Sequence, residues 1–316
     1  MKARPFILGT RGSALALAQA HLVRAMLHAA DPAREIEIKI IKTTGDKLKT
    51  AALAGSGVKG LFTRELEQAL LRGGVDAAVH SLKDLPTDLP GGLALGAVPA
   101  REDARDALIA AAPSALDAPR RVFTSSPRRA FQARLLWPGC ETREIRGNLE
   151  TRLAKIAKAR EGGALLAAAA GLRRLDFLRG ADARGALRQD PSLHYRLLSV
   201  GEMLPAPGQA ALGIEIRADD GVVKERLRAI NDVPSWFRAL AERAFLRAMG
   251  GGCAAPMAAH AAAQAERLTL SAVVRIEGGS VWRGCREGRL RDAEALGLAL
   301  AAEARNAADG RASRAP

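Results

Sequence analysis

The chain has 316 residues, enough for two or three domains, and its 48% apolar content supplies a core for each. Lys and Arg total 48 against 34 Asp and Glu, a net charge of +14 that suits an acidic partner: nucleic acid, an anionic surface or a polycarboxylate. An aromatic content of 3% argues against platforms that stack single-stranded bases, and three cysteines without a CxxC spacing fit neither a disulfide framework nor a zinc site.

The apolar run at residues 6–8 is too short for a signal peptide, and no stretch reads as a membrane span. The expectation is therefore a cytoplasmic protein with no membrane partner. Phe6–Thr10 reads as a short buried strand. Ser13 then caps a helix with Leu15, Ala18, Leu22 and Met26 on one face, stopped by Asp31-Pro32. Residues 35–42 alternate Ile36, Ile38 and Ile40 with charge, the pattern of a half-exposed strand. Residues 46–60 are loop-like, with three glycines around Lys59. Phe62, Leu66, Ala69 and Leu70 mark a helix ended by Gly73-Gly74, and residues 75–80 form a strand leading into Ser81-Leu82-Lys83-Asp84-Leu85-Pro86.

Strand–helix–strand order implies α/β with a mostly parallel sheet, where ligands bind beyond the carboxyl ends of strands. Arg11, Ser13, Ser81, Lys83 and Asp84 all fall at such ends. Residues 99–106 look like a crossing between domains. Residues 124–152 then read TSSPRRAFQARLLWPGCETREIRGNLETR. Here Thr124, Ser125 and Ser126 precede Arg128 and Arg129 on the first turn of a helix. Arg146, Gly147 and Asn148 repeat the arrangement, with Asn148 an N-cap and Arg152 one turn further on.

Hydroxyls, free backbone N–H groups and guanidinium forks at helix N-termini make a site for anions. Arg there opposes the helix dipole, so it does not serve helix stability. Surface solvation is the alternative reading, since exposed charge pairs contribute about 0–1 kcal/mol. Two such clusters in one stretch favour binding. Thr10…Ser13…Gln19-Ala20 and Thr124…Ser126…Gln132-Ala133 are loosely alike, a hint of two similar lobes facing one cleft. Residues 164–170 read as a small-residue strand and 204–208 (LPAPG) as a return crossing. Ser235 reads as the cap of a helix through Met249 that Gly250-Gly251-Gly252 ends. Residues 268–276 and 280–284 flank a Gly-Gly turn as a hairpin, residues 292–306 form an alanine-rich helix, and the chain from Asp309 reads as disordered.

The blocks TRGSALALAQA, VKGLFTREL, AVHSLKDLP, REDARDAL, TSSPRR, IRGNLETRL, AGLRRL, PGQAALGIE, AERAFLR and GGC occur in this order. Together they resemble the porphobilinogen deaminase family over nearly the whole chain. The resemblance implies an α/β fold of two lobes like those of periplasmic binding proteins around a cleft, plus a smaller α+β third domain. The corresponding boundaries are 1–100 with 205–227, 101–204 and 228–316.

It also implies a dipyrromethane cofactor joined by a thioether to Cys253. Four porphobilinogen molecules are deaminated and condensed onto that primer, and hydroxymethylbilane is released, with no metal, nucleotide or nucleic acid and with a monomer as the family's usual state. Carried over residue by residue, Asp84 is the catalytic carboxylate. Ser81, Lys83, Asp84, Thr124, Ser126, Arg128, Arg129, Gly147 and Arg152 hold the cofactor with Cys253. Arg11, Ser13, Gln19, Arg146, Arg174 and Gln209 hold the substrate.

The residue chemistry agrees. A lengthening chain of acetate- and propionate-bearing pyrroles needs many guanidinium partners, each charge-assisted bond contributing about 1.5–3 kcal/mol. A carboxylate near the pyrrole nitrogens stabilises the cation left when ammonia departs. For Asp84 alone, a capping role or a pairing with Lys83 is the competing reading; for Ser13 a capping role stands equal to binding. Cys140 and Cys285 are expected to be structural. Pro127 stands in an SSLRR-like block, Gly250 replaces an acidic residue before GGC, and Pro207 and Ala211 alter a VGQGA-like block to PGQAA. Two other functions compete: a two-lobed anion-binding module without catalysis, and a nucleic-acid binder exploiting the +14 charge.

Overall fold

The computed structural model describes residues 4–44, 63–158, 163–250, 256–276 and 279–312, and among them the strands form three sheets. In chain order the first strands are β1 (Phe6–Thr10), β2 (Ile36–Ile40), β3 (Ala77–Ser81) and β4 (Leu93–Ala97). Then come β5 (Asp106–Ala110), β6 (Arg121–Phe123), β7 (Glu141–Arg143), β8 (Gly163–Ala168), β9 (Arg184–Ala186) and β10 (His194–Leu197). The last are β11 (Leu212–Arg217), β12 (Met257–Gln264), β13 (Arg267–Arg275) and β14 (Val281–Arg289). The chain divides into two units, residues 1–101 with 211–236 and residues 102–210 with 237–316.

In the first unit the strand order is β2-β1-β3-β11-β4. β1 runs parallel to β2 and β3, and β11 enters antiparallel between β3 and β4. β1 and β3 read as nearly unbroken apolar runs because helices cover both faces of a parallel sheet. Phe6, Leu8, Val23, Leu27, Val79 and Ile214 form its core. β2 alternates because it is an edge, and it leaves Ile40 exposed.

The second unit repeats this plan. Its sheet runs β7-β6-β8-β5-β10-β9, with β6 parallel to β7 and β8 and with β5 antiparallel between β8 and β10. In each sheet the central parallel strand feeds a long helix, Ala14–Ala30 after β1 and Pro127–Leu136 after β6. The loose internal likeness of the two sequence stretches thus has a topological counterpart. The same unit holds the antiparallel meander β12-β13-β14, packed by Phe245, Leu268, Leu270, Leu296 and Leu300 against two helices. The fold is α/β with this smaller α+β part.

Several local expectations change. The strand expected over 164–170 ends at Ala168, and Ala169–Arg174 is a helix, as suits alanine. The helix Val233–Ala248 is capped by Asp232, whose Oδ1 accepts from Ser235 N at 2.9 Å. Ser235 Oγ instead accepts from Arg101 N at 3.0 Å. Strand β12, MAAHAAAQ, was not expected: alanines favour helix, and pairing along all of β13 overrides that preference. The last helix runs Ala293–Ala312, past Asp309. Cys285 is exposed on β14 and Cys140 is buried. The loop expected over 46–60 lies outside the described residues. Among the described residues no helix is long and apolar enough to cross a membrane.

Candidate active site

In the first unit β2, β1 and β3 are parallel neighbours, so their carboxyl ends lie side by side. Thr10 to Ser13 follow β1 and Ser81 to Asp84 follow β3. Ser13 Oγ accepts from Ala16 N at 3.2 Å, which makes it the helix cap. Gln19, expected on substrate, is buried, and its Nε2 donates to Ser81 Oγ at 2.8 Å. That bond ties the first helix to the end of β3. Lys83 and Asp84 sit in the 3-10 turn Leu82–Asp84. Leu82 and Leu85 are buried on either side, and Leu82 N donates to Ala211 O at 3.0 Å. The turn stops where Pro86 forces Leu85 into an extended conformation. Two buried leucines therefore fix the turn, and Asp84 stands exposed at its end. Arg11 lies half-buried just beyond β1.

In the second unit β7, β6 and β8 are likewise parallel, and 144–148, Thr124 to Ser126 and Ala169–Arg174 follow their ends. Ser126 caps the helix Pro127–Leu136, accepting from Arg129 N at 3.4 Å, and Thr124 Oγ1 accepts from Ser126 N at 3.1 Å. Pro127 takes the first helical position, where its missing N–H costs nothing. Asn148 Oδ1 accepts from Thr151 N at 2.9 Å, the expected cap.

Gly147 has φ +119°, and a Cβ there would lie 2.7 Å from Thr151 Cγ2, so the position admits only glycine. Arg152 Nε donates to the Gly147 carbonyl at 2.8 Å. Arg146 is exposed, with Nε 2.8 Å from Glu144 Oε1. A cavity of about 420 Å³ is lined by Phe123, Glu144, Ile145, Arg146, Lys155 and Ile156. A neighbouring one of about 250 Å³ is lined by residues that include Thr124, Ser126 and Thr142.

Arg128 and Arg129, expected on the cofactor, turn inward and are only 3% and 7% exposed. Arg128 Nη2 donates to Asp106 Oδ2 at 2.7 Å, and Arg129 Nη2 to Asp106 Oδ1 at 2.8 Å. Burial by itself would raise the Asp106 carboxyl; the two guanidinium charges outweigh it and hold the group at about 2. Gln209, expected on substrate, is buried and donates from Nε2 to Asp106 Oδ1 at 3.0 Å and to Ala104 O at 2.8 Å.

Arg174 Nη2 donates to Ala210 O, and burial draws its guanidinium down to about 10. Ala210 itself has φ +71°, a left-handed conformation that costs a non-glycine residue about 1–2 kcal/mol. The backbone consequence of the altered PGQAA block thus falls on Ala210 rather than on Ala211.

Burial, and then the nearby charge of Arg129, lower the Arg152 guanidinium. Arg128 Nε is buried without a partner among the described residues. Arg152 and the hydroxyls of Thr124 and Ser126, backed by the net positive charge of Arg128 and Arg129 over Asp106, form a donor set that fits a polycarboxylate such as the dipyrromethane. Cys253 lies outside the described residues. Sequence reasoning missed Asp106 and Lys155. An acid opening the otherwise apolar run Asp106-Ala107-Leu108-Ile109-Ala110 was the available signal for the first.

Strand-end hydroxyls, guanidinium forks and the exposed Asp84 carboxylate on α/β lobes are the chemistry of a protein that handles small polyanions. Residues 6–225 match the family "Porphobilinogen deaminase, dipyromethane cofactor binding domain", and residues 236–306 match "Porphobilinogen deaminase, C-terminal domain". The chain is 43% identical over 303 residues to a porphobilinogen deaminase of Syntrophobacter fumaroxidans, covering 94% of this chain and 93% of that one. It is 44% identical over 308 residues to one of Synechococcus elongatus, covering 95% and 92%. Among solved structures, a Salmonella typhimurium periplasmic binding protein with arginine specificity aligns at 12% identity and a TM-score of 0.40, covering 72% of this chain and 92% of that one. The chain belongs to the porphobilinogen deaminase family.

Proposed function

We propose that this chain is a cytoplasmic transferase that builds hydroxymethylbilane from four porphobilinogen molecules on a dipyrromethane held by a thioether to Cys253. Its domains follow the boundaries 1–100 with 205–227, 101–204 and 228–316, and it works as a monomer. The dipyrromethane supplies, when bound, a free pyrrole carbon that accepts the first unit. Each condensation forms one carbon–carbon bond and releases ammonia, and one water is taken up when the product leaves.

The observation that carries the reading is Asp84: an exposed carboxylate at the end of β3, on a turn that Leu82 and Leu85 fix from below. Held there, Asp84 stabilises the cation left when porphobilinogen loses ammonia and takes the proton that the attacked pyrrole carbon gives up. Arg152, Thr124, Ser126 and the backbone at Gly147 bind cofactor carboxylates, with Ser81 and Lys83 from the first unit. Arg11, Arg146 and Arg174 take those of incoming substrate. Ser13 and Gln19 support these groups through the cap and the bond to Ser81, and Gln209 through Asp106.

Porphobilinogen consumption by the purified protein, with hydroxymethylbilane as the product, tests this. Asp84→Ala is expected to lower turnover by about 10²-fold or more. Reversible carboxylate binding without turnover in the wild type would instead support the anion-binding module.

A further inference from the structure

Asp106 opens an otherwise apolar, fully buried strand, and a carboxylate there is stable only with its lone pairs satisfied. Arg128 meets Oδ2. Arg129 meets Oδ1 twice, from Nη2 and from Nε at 3.0 Å, and Gln209 meets Oδ1 as well. Each guanidinium is then held at its other end by a carbonyl, Arg128 Nη1 on Leu204 O at 2.7 Å and Arg129 Nη1 on Leu166 O at 3.3 Å.

Two like charges on adjacent residues of one helical turn repel, and nothing in the helix itself holds them together. One carboxylate does so and leaves one positive charge over, with Arg128 Nε buried and without a partner among the described residues, and the charge of Arg152 adds to it. Asp106 also links three pieces of backbone: β5, the start of the helix after β6, and the 204–209 segment through Leu204 and Gln209. Loss of Asp106 would release β5 and the 204–209 segment from the helix start that follows Thr124 and Ser126.

The geometry points to Asp106 as a positioning residue for cofactor uptake: it clamps Arg128 and Arg129 into a fixed, net-positive pair and so shapes the 124–129 turn to receive the anionic dipyrromethane. This rests on the activity proposed above, and it concerns how the cofactor is acquired rather than how it reacts.

The test compares full-length variants produced in a haem-synthesising host, scoring bound dipyrrole per protein by the colour formed with acidic aldehyde reagent. Wild-type protein should colour. Asp106→Asn should lose on the order of tenfold or more of that colour, the usual effect of removing a group that orients a ligand's direct contacts.

Glu242 supplies the control for burial alone. Its carboxylate is buried in the same unit and accepts from Gly208 N at 2.6 Å and from Ala261 N at 2.7 Å. Glu242→Gln should shift thermal unfolding yet keep its colour. Should Asp106→Asn fail to fold, Asp106→Glu keeps the charge while displacing the pair by one methylene; it should fold and still lose several-fold of the colour. Folded Asp106 variants with wild-type colour, in a host where wild type is loaded, would overturn this inference alone. A colourless wild type would remove the proposed activity and this inference with it.

Discussion

The antiparallel strand inserted into each sheet carries a buried carboxylate, but the two carboxylates have different partners. In the first unit Glu215 of β11 meets His80 Nε2 of β3 at 3.0 Å, joining strand to strand. In the second, Asp106 of β5 meets two arginines on a helix N-terminus. A strand-to-strand pair fixes the fold and leaves the strand end free to expose Asp84. A strand-to-helix pair fixes the loop that would touch a ligand. The inserted strand thus carries a buried carboxylate in both units, mid-strand and paired within the sheet in the first, at the strand's start and paired to a helix N-terminus in the second.

The largest effect that would break this contrast is on stability. Arg128→Ala removes one partner of a buried pair and should cost about 3–5 kcal/mol in denaturant unfolding. Arg146→Ala, at an exposed ion pair, should cost under about 1 kcal/mol and instead raise the KM for porphobilinogen. Equal stability losses would mean that burial does not separate the two arginine classes. Next comes Asp84→Asn, which should lower kcat by about 10²-fold while the unfolding midpoint stays put, because the side chain is exposed.

Acid sharpens the contrast further. The Asp106 carboxyl falls from 3.8 to about 2 on folding, so its contribution is full above about pH 4 and is lost as pH drops toward 2, about 2 kcal/mol in all. Asp106→Asn should flatten that acid limb. Glu67, in the first unit, is raised by burial and also by the charge of Glu215. The fold favours its protonated form, so its contribution is present below about pH 4.5 and fades as pH rises. Acid titrations of the two single variants, Asp106→Asn and Glu67→Gln, should therefore depart from wild type in opposite senses. The smallest effect is at Ala210, where glycine should relieve left-handed strain and raise stability by up to about 1 kcal/mol.

Much of the scaffold was legible because it rests on local signals. The alternation of Ile36, Ile38 and Ile40, the caps at Ser13 and Asn148 and the strand that runs into Ser81 are all written in neighbouring residues. The order of the family-like blocks drew attention to Asp84 and Gly147, which follow the ends of β3 and β7. What the sequence hid was long-range. Arg128 and Arg129 read as ligand contacts because arginines after a hydroxyl run look exposed, and Gln209 because of the family resemblance, yet Asp106, some twenty residues before the arginines, bonds to all three in the interior. Gln19 was hidden in the same way by Ser81. β12 was missed because its alanines carry no strand preference until β13 pairs with them.

The central claim is that this chain carries its own primer on Cys253. An intact mass of protein purified from a haem-producing host, beside that of Cys253→Ala, tests it most directly. Wild type should be heavier than its polypeptide by one dipyrromethane, and the variant should fold at bare polypeptide mass. A bare wild-type mass, or an adduct that survives in Cys253→Ala, would contradict it.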